Sequence, residues 1–178
     1  NRGTAIIFEM ESKPVQNTVN ILKRDIDKVL TSDVSTNTIL LKERADMAEE
    51  SYLIDVGADI VIYAADELGF VYALLHISEK YLGIKPFWFW LDQRIEPLET
   101  VEIPFGSYTS PKPVVRYRGW FFNDEVLLLK WNTVSEEYTW RMSFEALLRC
   151  GGNMTIPGTD KMSRKNRKLE SERGLWIT

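Results

Sequence analysis

Residues Tyr117 to Glu125 read Tyr-Arg-Gly-Trp-Phe-Phe-Asn-Asp-Glu and constrain the chain more than any other stretch. A mostly aromatic run without a helical stripe predicts a buried strand. It ends in an amide and two carboxyl side chains, and the carboxyl end of a buried strand is where α/β enzymes place working residues. The strand should cover Val114–Asn123, with Gly119 marking a close backbone approach. The loop Asp124–Val134 carries Val126, Leu127, Leu128, Leu129 and Trp131 and is too apolar to be wholly solvated. A helix over Ser135–Cys150 presents Trp140, Phe144, Leu147 and Leu148 and is ended by Gly151-Gly152. A second strand, Asn153–Ile156, stops at Pro157-Gly158-Thr159-Asp160. A polar helix over Ser163–Arg173 and a third strand over Leu175–Thr178 complete a β-α-β-α-β order. Short connections of this kind imply parallel strands and right-handed crossovers. A closed (β/α)8 barrel takes about eight such units and about 250 residues, so residues 111–178 can supply only its beginning. A complete three-stranded module is the weaker alternative, since it leaves a strand edge and a sheet face uncovered.

Residues 1–110 predict a separate α+β domain. Thr4–Met10 reads as a strand, followed by Ser12 as helix N-cap and Pro14 in the first turn. Val15, Val19, Leu22, Ile26 and Val29 then form one apolar stripe. Thr38–Leu41 is a short strand, and Ser51–Val56 with Asp59–Ala64 form a hairpin through Gly57-Ala58. A second helix runs from an N-cap at Asp66 to Leu82, with Gly83 after it. Leu68, Val71, Tyr72, Leu75 and Leu82 form one stripe, and Phe70, Leu74, Ile77 and Tyr81 form another. Only Gly69, His76 and Lys80 are left for water. Such a helix should be covered on two sides, with both helices on one face of the sheet. Pro86-Phe87-Trp88-Phe89-Trp90 suits either a sugar-stacking platform or packing between domains, and packing is the more ordinary use of large aromatics. An exit strand over Glu96–Ile103 and a linker reaching Pro111 and Pro113 mark the domain boundary.

Composition removes several function classes. Of 178 residues, 44% are hydrophobic and 27% charged, which excludes a disordered chain. A net charge of −4 gives no reason to expect nucleic acid. No apolar run reaches the roughly eighteen residues of a membrane span. One cysteine, Cys150, and one histidine, His76, exclude an internal disulfide and make a histidine-rich metal site or a Ser-His-Asp triad an unsuitable reading. No cofactor is expected. The chain opens on Asn1-Arg2-Gly3 without a methionine or signal-peptide pattern, which leaves the natural start and the compartment open.

Three segments together resemble the glycoside hydrolase family 115 α-glucuronidases. They are Asp66–Ser78 leading to Gly83–Asp92, then Tyr117–Glu125, then Gly152–Thr159 followed by Glu172–Thr178. The resemblance implies an N-terminal α+β domain like the second domain of hexosaminidases, followed by a (β/α)8 catalytic barrel. Family 67 α-glucuronidases share that pairing. It further implies that barrel strand 3 leads into a His-His-Glu-Pro-type motif beyond Thr178, with most catalytic and uronate-binding residues on later strands. The segment Asn123, Asp124 and Glu125 matches the family's Asn-Asp-Glu motif. Asp124 and Glu125 are therefore the catalytic candidates, and Asn123, Asp124, Trp120 and Asp160 the substrate-binding ones.

The expected partner is an oligosaccharide or polysaccharide, on this resemblance a glucuronic-acid-decorated xylan. Glycoside hydrolysis uses two carboxyl groups about 5–5.5 Å or 6.5–9.5 Å apart. Adjacent residues rarely face one bond together, so the second carboxylate should come from elsewhere. Residues 1–178 alone should then be inactive and should self-associate through the open barrel edge. The alternative is a non-enzymatic carbohydrate-binding or interaction module using Phe87–Trp90 and Trp120. Elsewhere, His76 should carry no chemistry and Cys150 should be a buried small apolar group. The basic stretch Lys161–Arg173 should be a solvated helix face, and Asp160 has an equally good claim as a helix cap.

Overall fold

The computed structural model describes residues 1–178 apart from 35–36, 132–133 and 159–160, and apart from the side chains of 124, 125, 129 and 161–163. The chain divides into two compact units, Asn1–Val114 and Val115–Thr178.

In the first unit the elements are β1 (Ala5–Ile7), α1 (Lys13–Val29), β2 (Thr38–Glu43), β3 (Tyr52–Val56), β4 (Ile60–Ala64), α2 (Glu67–Leu82) and β5 (Gly106–Thr109). They build a five-stranded mixed sheet of order β1-β2-β4-β3-β5. The hairpin forms in the register Tyr52 opposite Ala64 to Val56 opposite Ile60. Local chemistry starts both helices. The Ser12 hydroxyl accepts the Val15 N–H at 3.2 Å, and Asp66 Oδ1 accepts the Gly69 N–H at 2.8 Å, each satisfying a donor that the helix start leaves open. The other Asp66 oxygen accepts from Glu50 N at 2.6 Å, so one carboxylate also fixes the turn before β3.

Val15, Val19, Leu22 and Ile26 of α1 share one core with Ile39, Leu41, Ile54 and Ile62 of the sheet and with Phe70, Leu74 and Ile77 of α2. Both helices therefore lie on one sheet face. The second stripe of α2, through Leu68, Val71 and Leu75, is buried as well. Between the helices a fully buried Asp25 accepts from the Ser78 hydroxyl and from Arg24, both at 2.6 Å. An apolar pattern gives no sign of that polar tie, which satisfies a carboxylate that would be costly alone.

Two expectations for this unit are corrected. No strand covers Glu96–Ile103, where Leu98 makes only a bridge to Leu30. Pro97 and Pro104 remove donors from that stretch. The last strand is instead Gly106–Thr109, paired with β3. Its Tyr108 covers the strip of α2 assigned to water: His76 stacks on that ring at 4.6 Å. Burial, and then Lys80, push the imidazole pKa down. Gly69 is also buried. A Cβ there would sit 2.5 Å from the Ser51 carbonyl oxygen, so only glycine allows this approach of helix to strand.

The second unit contains β6 (Gly119–Phe122), α3 (Glu136–Arg149), β7 (Met154–Pro157), α4 (Lys161–Ser171) and β8 (Trp176–Ile177). The three strands lie in the order β6-β7-β8, all parallel. Ser135 caps α3 by accepting from Tyr138 N at 3.1 Å. Phe122 packs edge-on against Phe144 of α3 at 5.4 Å. At Gly119 a Cβ would come 2.7 Å from the Met154 carbonyl oxygen, the close approach its position implied.

The aromatic strand is shorter and less buried than its sequence suggests. Val114 and Val115 are exposed and Gly119 is its first paired residue. Trp120, Phe122 and Thr155 lie on the side of α3 and α4. Phe121, Ile156 and Trp176 lie on the opposite side and are 57%, 40% and 54% exposed, because both helices of this unit pack on one face. Two motif residues clasp the amino-terminal ends of the strands: buried Asn153 accepts from Arg118 N at 2.8 Å and donates to the Arg116 carbonyl at 2.7 Å. Arg118 reaches the Gly151 carbonyl at 2.7 Å.

Val126, Leu127 and Val134 are exposed and Leu128 is half-buried, so the segment after β6 is mostly but not wholly solvated. Two further expectations change here. Cys150, at the C-cap of α3, is exposed and not buried. The basic helix is not simply a solvated face, since Glu170 and Arg173 are buried. They lie in a unit that also buries the Arg149–Glu145 pair at 2.9 Å. Arg173 donates to the Leu169 carbonyl at 2.8 Å, and burial lowers its pKa to about 10. Among the described residues neither Glu170 oxygen has a hydrogen-bond partner. Burial pushes that carboxyl up to about 7, against smaller opposing pulls from Arg167 and Thr155. The Thr155 hydroxyl donates to the Trp176 carbonyl at 3.3 Å.

Candidate active site

Parallel strands bring their carboxyl ends to one edge of the sheet. Phe122 is registered with Pro157, so the Asn123-Asp124-Glu125 segment leaves β6 beside the point where Pro157-Gly158 leaves β7. The same edge receives Thr178 after β8. The structure thus brings the Asn-Asp-Glu segment and the approach to Asp160 to one rim. Asp160 itself, and the side chains of Asp124 and Glu125, lie outside the described residues.

The chain turns at once on leaving β6. Asp124–Leu128 forms a turn of π-helix and Leu129–Trp131 a turn of 3₁₀ helix. The Asn123 carbonyl accepts from both Leu127 N and Leu128 N at 3.2 Å. Its side-chain Oδ1 accepts from Val126 N at 2.8 Å. Wide turns of this type recur at functional sites. Here the turn places Asp124 and Glu125 at the rim, two and three residues past the strand, with the exposed Val126 and Leu127 following.

The capping role of Asn123 was not singled out by the sequence. Three polar residues stand in a row, and the pattern does not say which of them turns back to cap. The available signal is the spacing, since Asn123 to Val126 repeats the three-residue step by which Ser12, Asp66 and Ser135 cap their helices.

The remaining candidates separate by location. Trp120 sits on the helix side of the sheet, its ring 6.2 Å from Phe122. Trp88 packs against the core of the first unit, with Arg24 and Lys28 over its ring at 4.9 and 5.3 Å. Cations already occupy an aromatic face that a sugar would need, which favours packing for this residue of the Phe87–Trp90 run. Among the described residues no group of three His, Cys, Asp or Glu side chains converges to hold a metal, and no helix is long and apolar enough to cross a membrane.

Residues 110–178 match the profile of Glycosyl hydrolase family 115. The solved structure of a family GH115 4-O-methyl-alpha-glucuronidase, BtGH115A, superimposes with a TM-score of 0.81 at 25% identity, covering 98% of this chain. The chain thus resembles glycoside hydrolase family 115, by sequence profile over residues 110–178 and by fold throughout. It spans 28% of the length of that relative, which has specificity for decorated arabinogalactans. Two further solved structures superimpose on this chain: the Flavobacterium johnsoniae chitobiase, with a TM-score of 0.64 at 15% identity, and the beta-N-acetylhexosaminidase of Bacteroides fragilis, with 0.61 at 14%. They cover 99% of this chain, which accounts for 31% and 40% of theirs. At such identities they show the fold alone, a mixed α+β architecture like that of hexosaminidases. A search of curated protein sequences gives no match.

Proposed function

We propose that this chain is part of an α-glucuronidase that removes a terminal glucuronic acid, or its 4-O-methyl ether, from a decorated plant polysaccharide. The observation that carries the reading is the position of Asn123-Asp124-Glu125 at the carboxyl end of a parallel strand, inside the residues that match family 115. On this reading β6, β7 and β8 are barrel strands 1 to 3. The support is their sequential parallel order, with both helices on one face and Phe121, Ile156 and Trp176 on the face that would line the barrel. Asp124 is the first candidate for catalysis or for bonding sugar hydroxyls, Glu125 the second, and Asp160 a binding candidate on the neighbouring strand's loop. The partner carboxylate comes from another barrel strand, because one glycosidic bond needs two carboxyl groups facing it.

The substrate reading is a glucuronic-acid-decorated xylan. The specificity of BtGH115A for decorated arabinogalactans supplies the comparison substrate, since both glycans can present a terminal uronate on different main chains. The full-length protein should release free (4-O-methyl)glucuronic acid from glucuronoxylan oligosaccharides, measured by chromatography of the released acid. Release from uronate-decorated arabinogalactan alone would replace the main chain and keep the reaction. Absence of release from both would overturn the assignment.

A further inference from the structure

We infer that Asn123 is a positioning residue that holds Asp124 and Glu125 at the strand rim through a side-chain cap. The inference rests on the glycosidase reading for its kinetic consequence and on geometry alone for the cap. Asn123 satisfies three backbone donors of the turn that follows it: Oδ1 takes Val126 N at 2.8 Å, and its carbonyl takes Leu127 N and Leu128 N at 3.2 Å. The donor at Val126 fixes which amide atom points into the turn, since only an oxygen can accept there. The side chain keeps its amide NH₂ for other partners.

This π-turn is short and exposed, with Val126 and Leu127 in solvent, so burial does little to hold it. The cap is then a main determinant of its shape, and the backbone of Asp124 and Glu125 lies inside the capped loop. Losing the acceptor should move both residues without unfolding the sheet, whose register ends at Phe122 and Pro157. Misplacing a reacting group by about 1 Å can cost on the order of a hundredfold in rate.

Serine caps the same three-residue step twice in this chain, at Ser12 and Ser135. Asn123→Ser should therefore keep the acceptor while removing the amide NH₂, and Asn123→Ala removes both. In the full-length enzyme Asn123→Ala should lower kcat/KM by about ten- to a hundredfold, mostly in kcat. Asn123→Ser should recover most of the activity lost in Asn123→Ala, given the similar capping strength of Ser and Asn. Amide hydrogen exchange at residues 126–128 should quicken in the alanine variant and not in the serine one. This readout stands even if no glycosidase activity is found. A serine variant as impaired as alanine, with a raised KM and protected amides, would show that the NH₂ touches substrate and overturn the inference. Unchanged exchange in the alanine variant would do the same.

Discussion

Asp124 is expected to act in the pocket and to matter little for folding. It follows a strand that the amino-terminal clasp of Asn153 and Arg118 and the contact of Phe122 with Phe144 hold without it. Asp124→Asn keeps the shape and removes the charge. A hydrogen bond from a charged group is typically worth about 1.5–3 kcal/mol, or roughly ten- to a hundred-and-fifty-fold in rate. General acid–base work typically contributes about 10²–10⁴-fold. The variant should therefore lose at least about tenfold in kcat/KM, with an unfolding midpoint close to wild type. Normal kinetics, or a large stability loss with normal activity in the folded fraction, would reduce Asp124 to a structural residue. At this scale the polar ending of the strand was legible because a change from aromatic to carboxyl side chains is a composition signal. Asn123's capping role was not, because which of three adjacent polar groups turns back depends on backbone direction after Phe122.

Elements whose signals are local were the readable ones. Ser12 and Asp66 cap α1 and α2 because each needs only a donor three residues on, and Ser135 does the same for α3 at the start its sequence indicates. β5 was misplaced because an edge strand is defined by its partner, here β3, which lies some fifty residues earlier in the sequence. The polar helix α4 hid the burial of Glu170 for a similar reason: its own sequence is charged, and only packing reveals which charge turns inward. That burial has a consequence for pH. The folded carboxyl has a pKa raised to about 7 from an ordinary 4.5. A raised folded-state pKa favours the protonated fold, so the stabilisation is full below the unfolded value and is lost as pH rises through the folded one. Glu170→Gln removes the group that must ionise. It should raise the unfolding midpoint at pH 8 by an amount equivalent to roughly 2–3 kcal/mol and much less at pH 4.5. Equal midpoints for the two proteins at pH 8 would mean that the ionised carboxylate finds a partner or water.

At the scale of the whole molecule, what the sequence disclosed was order, a sheet with two helices and then three parallel strands, and the motif spacing of family 115. It left open which side of the aromatic strand would be covered, because alternation along a strand defines two sides without ranking them. The structure ranks them: Phe122 meets α3, while Phe121, Ile156 and Trp176 form an apolar face turned away from both helices of their unit. We expect two results for a polypeptide of residues 1–178 prepared alone. It should not hydrolyse an aryl α-glucuronide or a glucuronoxylan fragment above an Asp124→Ala control, because neighbours such as Asp124 and Glu125 rarely flank one glycosidic bond at the separation of about 5–5.5 or 6.5–9.5 Å that the chemistry uses. It should also associate with itself, because an apolar sheet face and open strand edges attract further copies. Light scattering over a concentration series tests the second point, and Phe121→Ser with Trp176→Ser should shift the polypeptide toward monomer. A monomer at high concentration without those changes would mean that this face needs no cover. Turnover above the control would mean that the polypeptide assembles its own pair of carboxylates, and the search for the second one would move to Asp160.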